Sequence, residues 1–363
     1  MKKLNIFAVF ASITLLSGCM DISKLIETEN KIDPPVRPVP NNMPEVNEVA
    51  DELYDSNWYP LLCTNLLMGE KKTIVPDKVT NNDVKKALYQ IVNDCPQIFW
   101  LGGVYYAGTV TDGSEIKIDF LKDYDTYDVS EMLEELDDAA NDVISGIPSG
   151  SSDYEKALYV HDYLIENTEY DHSKQAYTEF GLWGSSYGCL VEKKAVCGGY
   201  SEAFHYIMQK LGIESGICTG SNHEWNYVKI DGDYYWVDVT WDDNDEGAPQ
   251  HTYFMFTTEQ LLRTRSFDLI QSFVPECTET SCCYFVKNGG FFESYDEKAV
   301  LEYVENHTSE SHCEIMFGSF EAYEEALNSL IGKSKLYKAD GLGLNGVSYY
   351  RNDNVYSLDI IFK

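Results

Sequence analysis

Apolar residues spaced three or four apart predict amphipathic helices in several parts of the chain. The longest predicted helix covers residues 130–147. The next covers residues 154–167, and Ser152 and Glu155 form a capping-box sequence at its start. An earlier helix is expected to have Asn82 as its cap. The helix over residues 154–167 is predicted to open the central domain, residues 150–272.

Other segments alternate between apolar and polar residues with the period of two that is typical of half-buried strands. Residues 116–120 alternate in this way, and the aromatic runs at residues 98–101 and 103–110 are also strand-like. Residues 46–149 are therefore predicted to form a mixed α/β domain ahead of the central one.

The segment over residues 273–363 is predicted to be a small α/β domain, because strand-like and helix-like patterns alternate along it. The predicted strands are residues 283–286, 290–294 and 313–317, the helices are residues 296–306 and 320–331, and a terminal hairpin joins residues 347–350 to 355–362.

The first 18 residues have the pattern of a secretory signal: two lysines, then an apolar run too short to be a permanent membrane span. The run ends in Leu-Ser-Gly before Cys19. This ending resembles the lipobox of bacterial lipoproteins, which implies cleavage before Cys19, acylation of its thiol and an extracytoplasmic, lipid-anchored protein. An ordinary signal peptide with an incidental cysteine is the alternative. Residues 19–45 are rich in proline and are predicted to be a tether.

Acidic residues dominate the composition. The chain of 363 residues has 60 acidic and 27 basic side chains, a formal net charge of −33. Such a charge repels phosphate groups, so nucleic acid is not expected as a partner. The hydrophobic fraction of 44% is sufficient for sizeable cores, which excludes a disordered chain.

Cys197 is the first candidate for chemistry. Two glycines follow it, then a helical run of apolar residues that Gly212 is placed to end. A thiol at a helix N-terminus lies where free N–H groups and the helix dipole stabilise a thiolate. A buried structural cysteine is the alternative for a cysteine taken alone.

A predicted hairpin supplies the other two candidates. Residues 223–230 and 233–240 alternate on either side of Asp231-Gly232, a dipeptide typical of two-residue turns. If the strands pair directly across this turn, His223 and Asp238 become diagonal neighbours on one face. There the carboxylate could hold the imidazole tautomer and stabilise the imidazolium. A slip of one residue would send Asp238 to the opposite face.

Three motifs in this order resemble the transglutaminase-like domain of bacterial surface proteins, in the papain-like Cys-His-Asp superfamily. They surround Cys197 (Ala-Val-Cys-Gly-Gly-Tyr), His223 (Asn-His-Glu-Trp-Asn) and Asp238 (Trp-Val-Asp-Val-Thr-Trp-Asp). The resemblance implies an α+β fold whose core is a cysteine-bearing helix packed on an antiparallel sheet, flanked by the mixed N-terminal and small C-terminal α/β domains. It also implies that Cys197 is the nucleophile, His223 the general base and acid, and Asp238 its orienter.

The resemblance also implies an oxyanion hole made by the Cys197 backbone N–H and a second donor. Tyr187 and Trp183 are the candidates for that donor, and both could equally be core aromatics. Two positions depart from the family pattern. Gly198 stands where relatives often carry a larger polar residue, which leaves substrate contacts open. Glu224 stands where they often carry a small residue, and it is expected to point away from the face of His223.

No metal site and no cofactor are predicted. The cysteines and histidines lack metal-ligand spacing, and the acidic run that begins at Asp242 has Tyr253 where a calcium loop needs Glu. Two function classes remain. The first is an enzyme that forms a thioester at Cys197 with peptide or protein amides and passes the acyl group to water or to an amine. The second is a non-catalytic surface binding or scaffold module. The sequence leaves the oligomeric state open.

Overall fold

The computed structural model describes residues 52–101, 108–174, 180–243, 249–267, 273–310, 312–338 and 347–362. The predicted signal peptide, Cys19 and the predicted tether lie outside these residues. The chain divides into two compact units: Met1–Gly232 with Phe267–Pro275, and Asp233–Ser266 with Glu276–Lys363. Among the described residues, no helix has the length and apolarity that a membrane span requires.

The first unit begins with two helices and a small antiparallel sheet. The elements are α1 (Tyr59–Leu67), β1 (Lys72–Ile74), α2 (Asn81–Asp94), β2 (Gly108–Thr111) and β3 (Glu115–Ile118). The strand order is β1-β3-β2. β3 confirms the strand predicted over residues 116–120, although it ends two residues earlier, at Ile118. Helix α2 is capped by Thr80 rather than Asn82, because the Thr80 side chain and the N–H of Asp83 form a capping box.

The strand predicted over residues 98–101 is wrong. This segment is a turn, and only Leu101 forms an isolated bridge, to Phe120. Phe99 and Trp100 are both buried, and their rings meet edge to face with centroids 5.1 Å apart. A half-buried strand would turn one of two consecutive residues to solvent, so a turn accommodates this aromatic pair better.

Two long helices follow in the first unit, α3 (Val129–Gly146) and α4 (Asp153–Asn167). Both were predicted, and the capping box of Ser152 and Glu155 is present at the start of α4. The strands β4 (Glu169–Tyr170) and β5 (Lys194–Ala195) then pair in parallel. Between them lie a 3₁₀ turn over Leu182–Gly184 and the short helix α5 (Ser186–Leu190).

The central helix of the first unit is α6 (Cys197–Leu211), which ends at Gly212 in the left-handed conformation, as predicted. Two antiparallel strands follow, β6 (Ser215–Gly220) and β7 (His223–Ile230). Helix α6 packs against both strands. The fold is therefore α+β, and the helix that bears Cys197 lies on an antiparallel sheet, as the resemblance implied.

The second unit begins with β8 (Asp233–Val237), α7 (Val239–Asp242), β9 (Phe254–Phe256) and α8 (Thr258–Leu262), and β8 and β9 are antiparallel. The strand predicted over residues 233–240 is three residues too long. It ends at Val237 because Asp238 caps α7: the Asp238 side chain accepts the N–H of Trp241. The capping carboxylate stabilises a helix start where the alternating pattern indicated a continuing strand.

A mixed sheet and its helices complete the second unit. Its elements are α9 (Tyr284–Asn288), β10 (Phe291–Phe292), α10 (Glu297–Asn306), β11 (His312–Phe317), α11 (Phe320–Ala326), a π-helical segment (Leu327–Gly332), α12 (Lys335–Lys338), β12 (Val347–Asn352) and β13 (Ser357–Phe362). The strand order is β10-β11-β13-β12, and only β10 and β11 are parallel. The terminal hairpin is confirmed. The strand predicted over residues 283–286 is instead part of α9, since so short an apolar run does not distinguish a helix from a strand.

Candidate active site

Cys197 occupies the first position of α6. Val196 before it is extended, with φ −108° and ψ −175°, and its side chain gives the helix no capping hydrogen bond. The first turn therefore begins without a side-chain cap at the place where the thiol stands. Cys197 is only 6% exposed, so the thiol is nearly buried. A helix of this length favours negative charge at its start, which suits a thiolate.

The 3₁₀ turn over Leu182–Gly184 lies against this helix start. The N–H of Val196 donates to the carbonyl oxygen of Trp183 over 2.9 Å. A methyl group at Gly199 would lie only 2.9 Å from the same oxygen. The second glycine of the Cys-Gly-Gly motif is therefore needed for close packing beside Cys197.

His223 is the first residue of β7 and directly follows a two-residue turn. The turn residues Ser221 and Asn222 have φ values of +55° and +59°, and Gly220 pairs with His223 across it. Two positive φ values in a two-residue loop are the signature of a type I′ turn. The imidazole stacks on the Trp225 ring with centroids 6.0 Å apart, so these two side chains share one face, as predicted. The turn thus places the imidazole at the end of the hairpin.

The opposite face of β7 is held against α6. The side-chain amide of Asn226 donates to the carbonyl oxygen of Ser201 on α6 over 3.0 Å. Glu224 is two residues earlier on the same strand, so it also faces α6. A methyl group at Gly198 would lie 3.7 Å from Glu224 Oε1. Within the first unit, the start of α6 and the start of β7 are therefore neighbours.

Glu224 lies beside the helix that bears Cys197. It points away from the face of His223, as expected, but the face that it occupies is covered by the first turn of α6. Its Oε1 is buried, and no hydrogen-bond partner for this atom is found among the described residues. Burial raises the pKa of Glu224 to about 7. Gly198 and Glu224, the two departures from the family pattern, lie side by side. One is smaller and the other larger than is usual in the family, and this difference in size could have predicted their contact.

Glu202 is a second buried carboxyl group on α6. Its Oε2 accepts the N–H of Ser186 over 3.1 Å. Burial, together with the charge of the nearby Glu224 carboxylate, raises the pKa of Glu202 well above its usual range. A pair of buried carboxyl groups therefore lies close to the helix start, and their charge would oppose a thiolate whenever both are ionised.

The two predicted oxyanion donors have different surroundings. Trp183 is half-buried, and its carbonyl oxygen binds the residue before Cys197. The hydroxyl of Tyr187 donates to Glu135 on α3 over 2.5 Å, and its ring lies 4.9 Å from that of Phe99. Burial and the Glu135 carboxylate raise the pKa of Tyr187. These contacts favour a core role for Tyr187, and the assignment of either residue as an oxyanion donor stays a prediction.

Asp238 lies in the second unit, and its side chain is buried. One carboxylate oxygen accepts the N–H of Trp241 over 3.1 Å, and the other is bound by the guanidinium of Arg265. The side chains of Asp238 and Arg265 are 0% and 1% exposed. No local sequence pattern connects Arg265 to Asp238, because the two residues are 27 positions apart.

His205 is a buried histidine on α6 whose two ring nitrogens both form hydrogen bonds. Its Nε2 donates to the carbonyl oxygen of Asn93 over 2.7 Å, and its Nδ1 accepts from the hydroxyl of Ser215 at 2.8 Å. Burial lowers the pKa of His205 to about 4, so the ring is neutral at pH 7. This histidine is therefore a structural residue of α6.

Comparison with known proteins finds a family resemblance in the middle of the chain. Residues 140–246 match the family model of the transglutaminase-like superfamily. No curated protein is significantly similar to the chain. One similar solved structure, described as a TGase, shares 18% identity with a TM-score of 0.28, over 47% of this chain and 50% of that one. Another, a candidate cysteine protease from Cytophaga hutchinsonii, shares 16% identity with a TM-score of 0.25, over 38% of this chain and 54% of that one.

The chain thus spans about half the length of these two solved structures. The family match stands without them, and it covers the helix that bears Cys197, the strand that begins at His223 and the segment that contains Asp238. Residues 140–246 of this chain are therefore similar to the transglutaminase-like superfamily.

Proposed function

We propose that the transglutaminase-like domain is a cysteine-dependent acyl-transfer enzyme that acts on peptide or protein amides. The observation that supports the proposal is that the start of α6 lies close to the start of β7 in the first unit. Cys197 starts α6 and His223 starts β7, and the backbones at these two starts lie beside each other. A nucleophile at a helix start and a histidine at a strand start are the parts that thioester chemistry needs.

The chemistry would run in two steps. His223 takes the proton of the Cys197 thiol, and the sulfur attacks the amide carbonyl carbon to form a C–S bond. The C–N bond then breaks, and His223 gives the same proton to the leaving nitrogen. Water or an amine then attacks the thioester, His223 takes the proton of the attacking group, and the C–S bond breaks to release Cys197. Asp238 would hold the imidazole in the productive tautomer.

Water is the preferred acceptor in this proposal. A dilute amine must compete with solvent, which requires a dry and shaped acceptor channel. The net charge of −33 acts in the other direction, because it concentrates lysine amines near the surface. Transfer to an amine is therefore the second candidate for the same site.

The experiment combines a substrate assay with site-specific labelling. The purified protein is incubated with a panel of glutamine-containing peptides and a labelled amine, and ammonia, cleavage products and incorporated amine are measured. Ammonia release or cleavage without incorporation supports a hydrolase, whereas robust incorporation supports a transglutaminase. Absence of all three products over the panel would favour a non-catalytic binding or scaffold module.

Variants of the three proposed residues test their roles. Cys197→Ala and His223→Ala are expected to lower turnover by a factor of about 10⁴ or more, because members of such a unit do not act additively. Asp238→Asn is expected to lower turnover by a smaller factor, since Asp238 acts through His223. Cys218 is an internal control for labelling, because burial raises the pKa of its thiol well above the usual range. A Cys197 that iodoacetamide alkylates no faster than Cys218 at neutral pH would contradict the proposal.

The location of the enzyme is a proposal from the sequence alone. The Leu-Ser-Gly-Cys ending of the signal supports lipid attachment at Cys19, with the folded units outside the cytoplasm. A cell-surface location would give the domain access to extracellular peptide or protein substrates.

A further inference from the structure

Arg265 follows α8 and lies inside an aromatic enclosure of the second unit. Its guanidinium carbon is 3.6 Å from the centroid of the Trp241 ring, 5.4 Å from that of Tyr253 and 5.8 Å from that of Phe256. Such distances are typical of cation–π interactions, which are stronger when the cation is shielded from water. The enclosure therefore holds the guanidinium in one place.

This fixed guanidinium meets the Asp238 carboxylate in the same enclosed space. The Asp238 N–H also donates to the carbonyl oxygen of Tyr253 over 2.9 Å. Backbone, helix cap and guanidinium together leave the carboxylate little freedom to turn. Burying two charges is costly, and their mutual attraction at close range offsets part of that cost.

We infer that Arg265 is a positioning residue of the proposed triad, which fixes the orientation and the negative charge of the Asp238 carboxylate. The inference rests on the proposed function, because it gives Asp238 the task of orienting His223. A carboxylate that has lost its proton accepts the imidazole N–H, whereas a protonated carboxyl group competes as a donor. Arg265 would thus extend the pH range in which Asp238 can serve the histidine.

No other ionisable group described around Asp238 and Arg265 supplies a positive charge to Asp238. Asp242 on α7 is buried, and both of its oxygens accept the N–H of Tyr253, at 2.9 and 3.0 Å. Its negative charge would favour protonation of Asp238 rather than oppose it. The phenol of Tyr253 is neutral at pH 7, since burial raises its pKa to about 12. Arg265 is therefore the cation that balances Asp238 among these groups.

The test measures how fast iodoacetamide alkylates Cys197 in the full chain, residue by residue with mass spectrometry, from about pH 5 to about pH 9. Arg265→Met keeps an unbranched apolar stem under Trp241 and removes the charge. In Arg265→Met, we expect the pH below which alkylation of Cys197 slows to be higher than in the parent by about one unit or more. The reason is that Asp238 without the guanidinium takes up a proton at higher pH. Arg265→Lys keeps a charge without the planar fork, so a smaller upward shift is expected.

A double variant separates positioning from general destabilisation. If Arg265 acts through Asp238, the combination of Arg265→Met with Asp238→Asn should have the profile of Asp238→Asn alone. The double variant has no buried carboxylate at position 238 that lacks a cation. If Arg265→Met does not fold, the double variant and Arg265→Lys are therefore measured instead. An unshifted profile in the folded Arg265 variants, or a double variant slower than Asp238→Asn, would overturn the inference.

Failure of the inference and failure of the proposed function give different results. If His223→Ala and Asp238→Asn leave the reactivity of Cys197 unchanged, the triad itself is wrong. If both slow Cys197 while folded Arg265 variants match the parent at every pH, only the role of Arg265 is wrong.

Discussion

At the scale of single residues, Glu224 is the most unusual group near the candidate nucleophile. Its carboxyl group occupies the space that Gly198 leaves open, and Glu202 lies close by. Buried carboxyl groups near each other hold protons more firmly than exposed ones do. Since the pKa of Glu224 rises from 4.5 to about 7, the folded protein binds more protons than the unfolded chain between these two values. Its burial therefore costs stability as the pH rises.

Glu224→Gln should remove this pH dependence. In the parent protein, the Glu224 contribution lowers the free energy of unfolding as the pH rises from 4.5 to about 7, and then levels off. The stability of the variant relative to the parent should rise over that window by up to about 3 kcal/mol. Urea unfolding at several pH values measures the difference. Glu166→Gln, at an exposed position of α4, is the control, and an equal pH response of both variants would contradict the prediction.

At the scale of elements, a tight turn decides where His223 lies. The hairpin of β6 and β7 has only two loop residues, and both need a positive φ. A residue with a β-branched side chain is strained in that conformation, whereas glycine is not. The backbone of the turn, more than its side chains, should therefore fix the start of β7.

Asn222→Val is expected to lower the free energy of unfolding by about 1–2 kcal/mol, because valine is strained at positive φ. Asn222→Gly is the matched control: it also removes the amide side chain but allows the backbone, so its stability should equal or slightly exceed that of the parent. Chemical denaturation of both variants measures the effect. Equal losses in the two variants would show that the side chain, and not the backbone, supports the turn.

At the scale of the whole molecule, the chain combines a strongly acidic composition with a proposed lipid anchor. Net charge of one sign keeps a protein soluble but gives it no attraction to anionic lipid headgroups. With a formal charge of −33, membrane association should therefore depend on the acyl chains at Cys19 rather than on the folded units.

Cys19→Ala should release the protein from the membrane fraction. Met20→Ala, which keeps the cysteine and changes its neighbour, should leave it there. Cell fractionation followed by immunoblotting of both variants measures the distribution. If Cys19→Ala stays in the membrane fraction as firmly as the parent, the lipid anchor is wrong.

Features set by neighbours in the sequence were predicted well. The capping box of Ser152 and Glu155, the end of α6 at Gly212 and the terminal hairpin all follow from hydrogen bonds and backbone angles within a few residues. The Asp231-Gly232 dipeptide likewise has the two positive φ values, +54° and +98°, that its turn type requires. Three motifs in the family's order predicted the similarity to the transglutaminase-like superfamily that residues 140–246 show.

Only the tertiary structure decided which distant side chains meet. Alternation predicted a strand through Asp238, but its carboxylate caps a helix and binds Arg265, far along the chain. Alternation also placed Glu224 on the face opposite His223, yet it could not show that α6 covers this face beside Gly198. Local patterns encode the backbone through steric and hydrogen-bond preferences of neighbouring residues, whereas buried charge pairs depend on how elements pack, and no short-range period in the sequence records that packing.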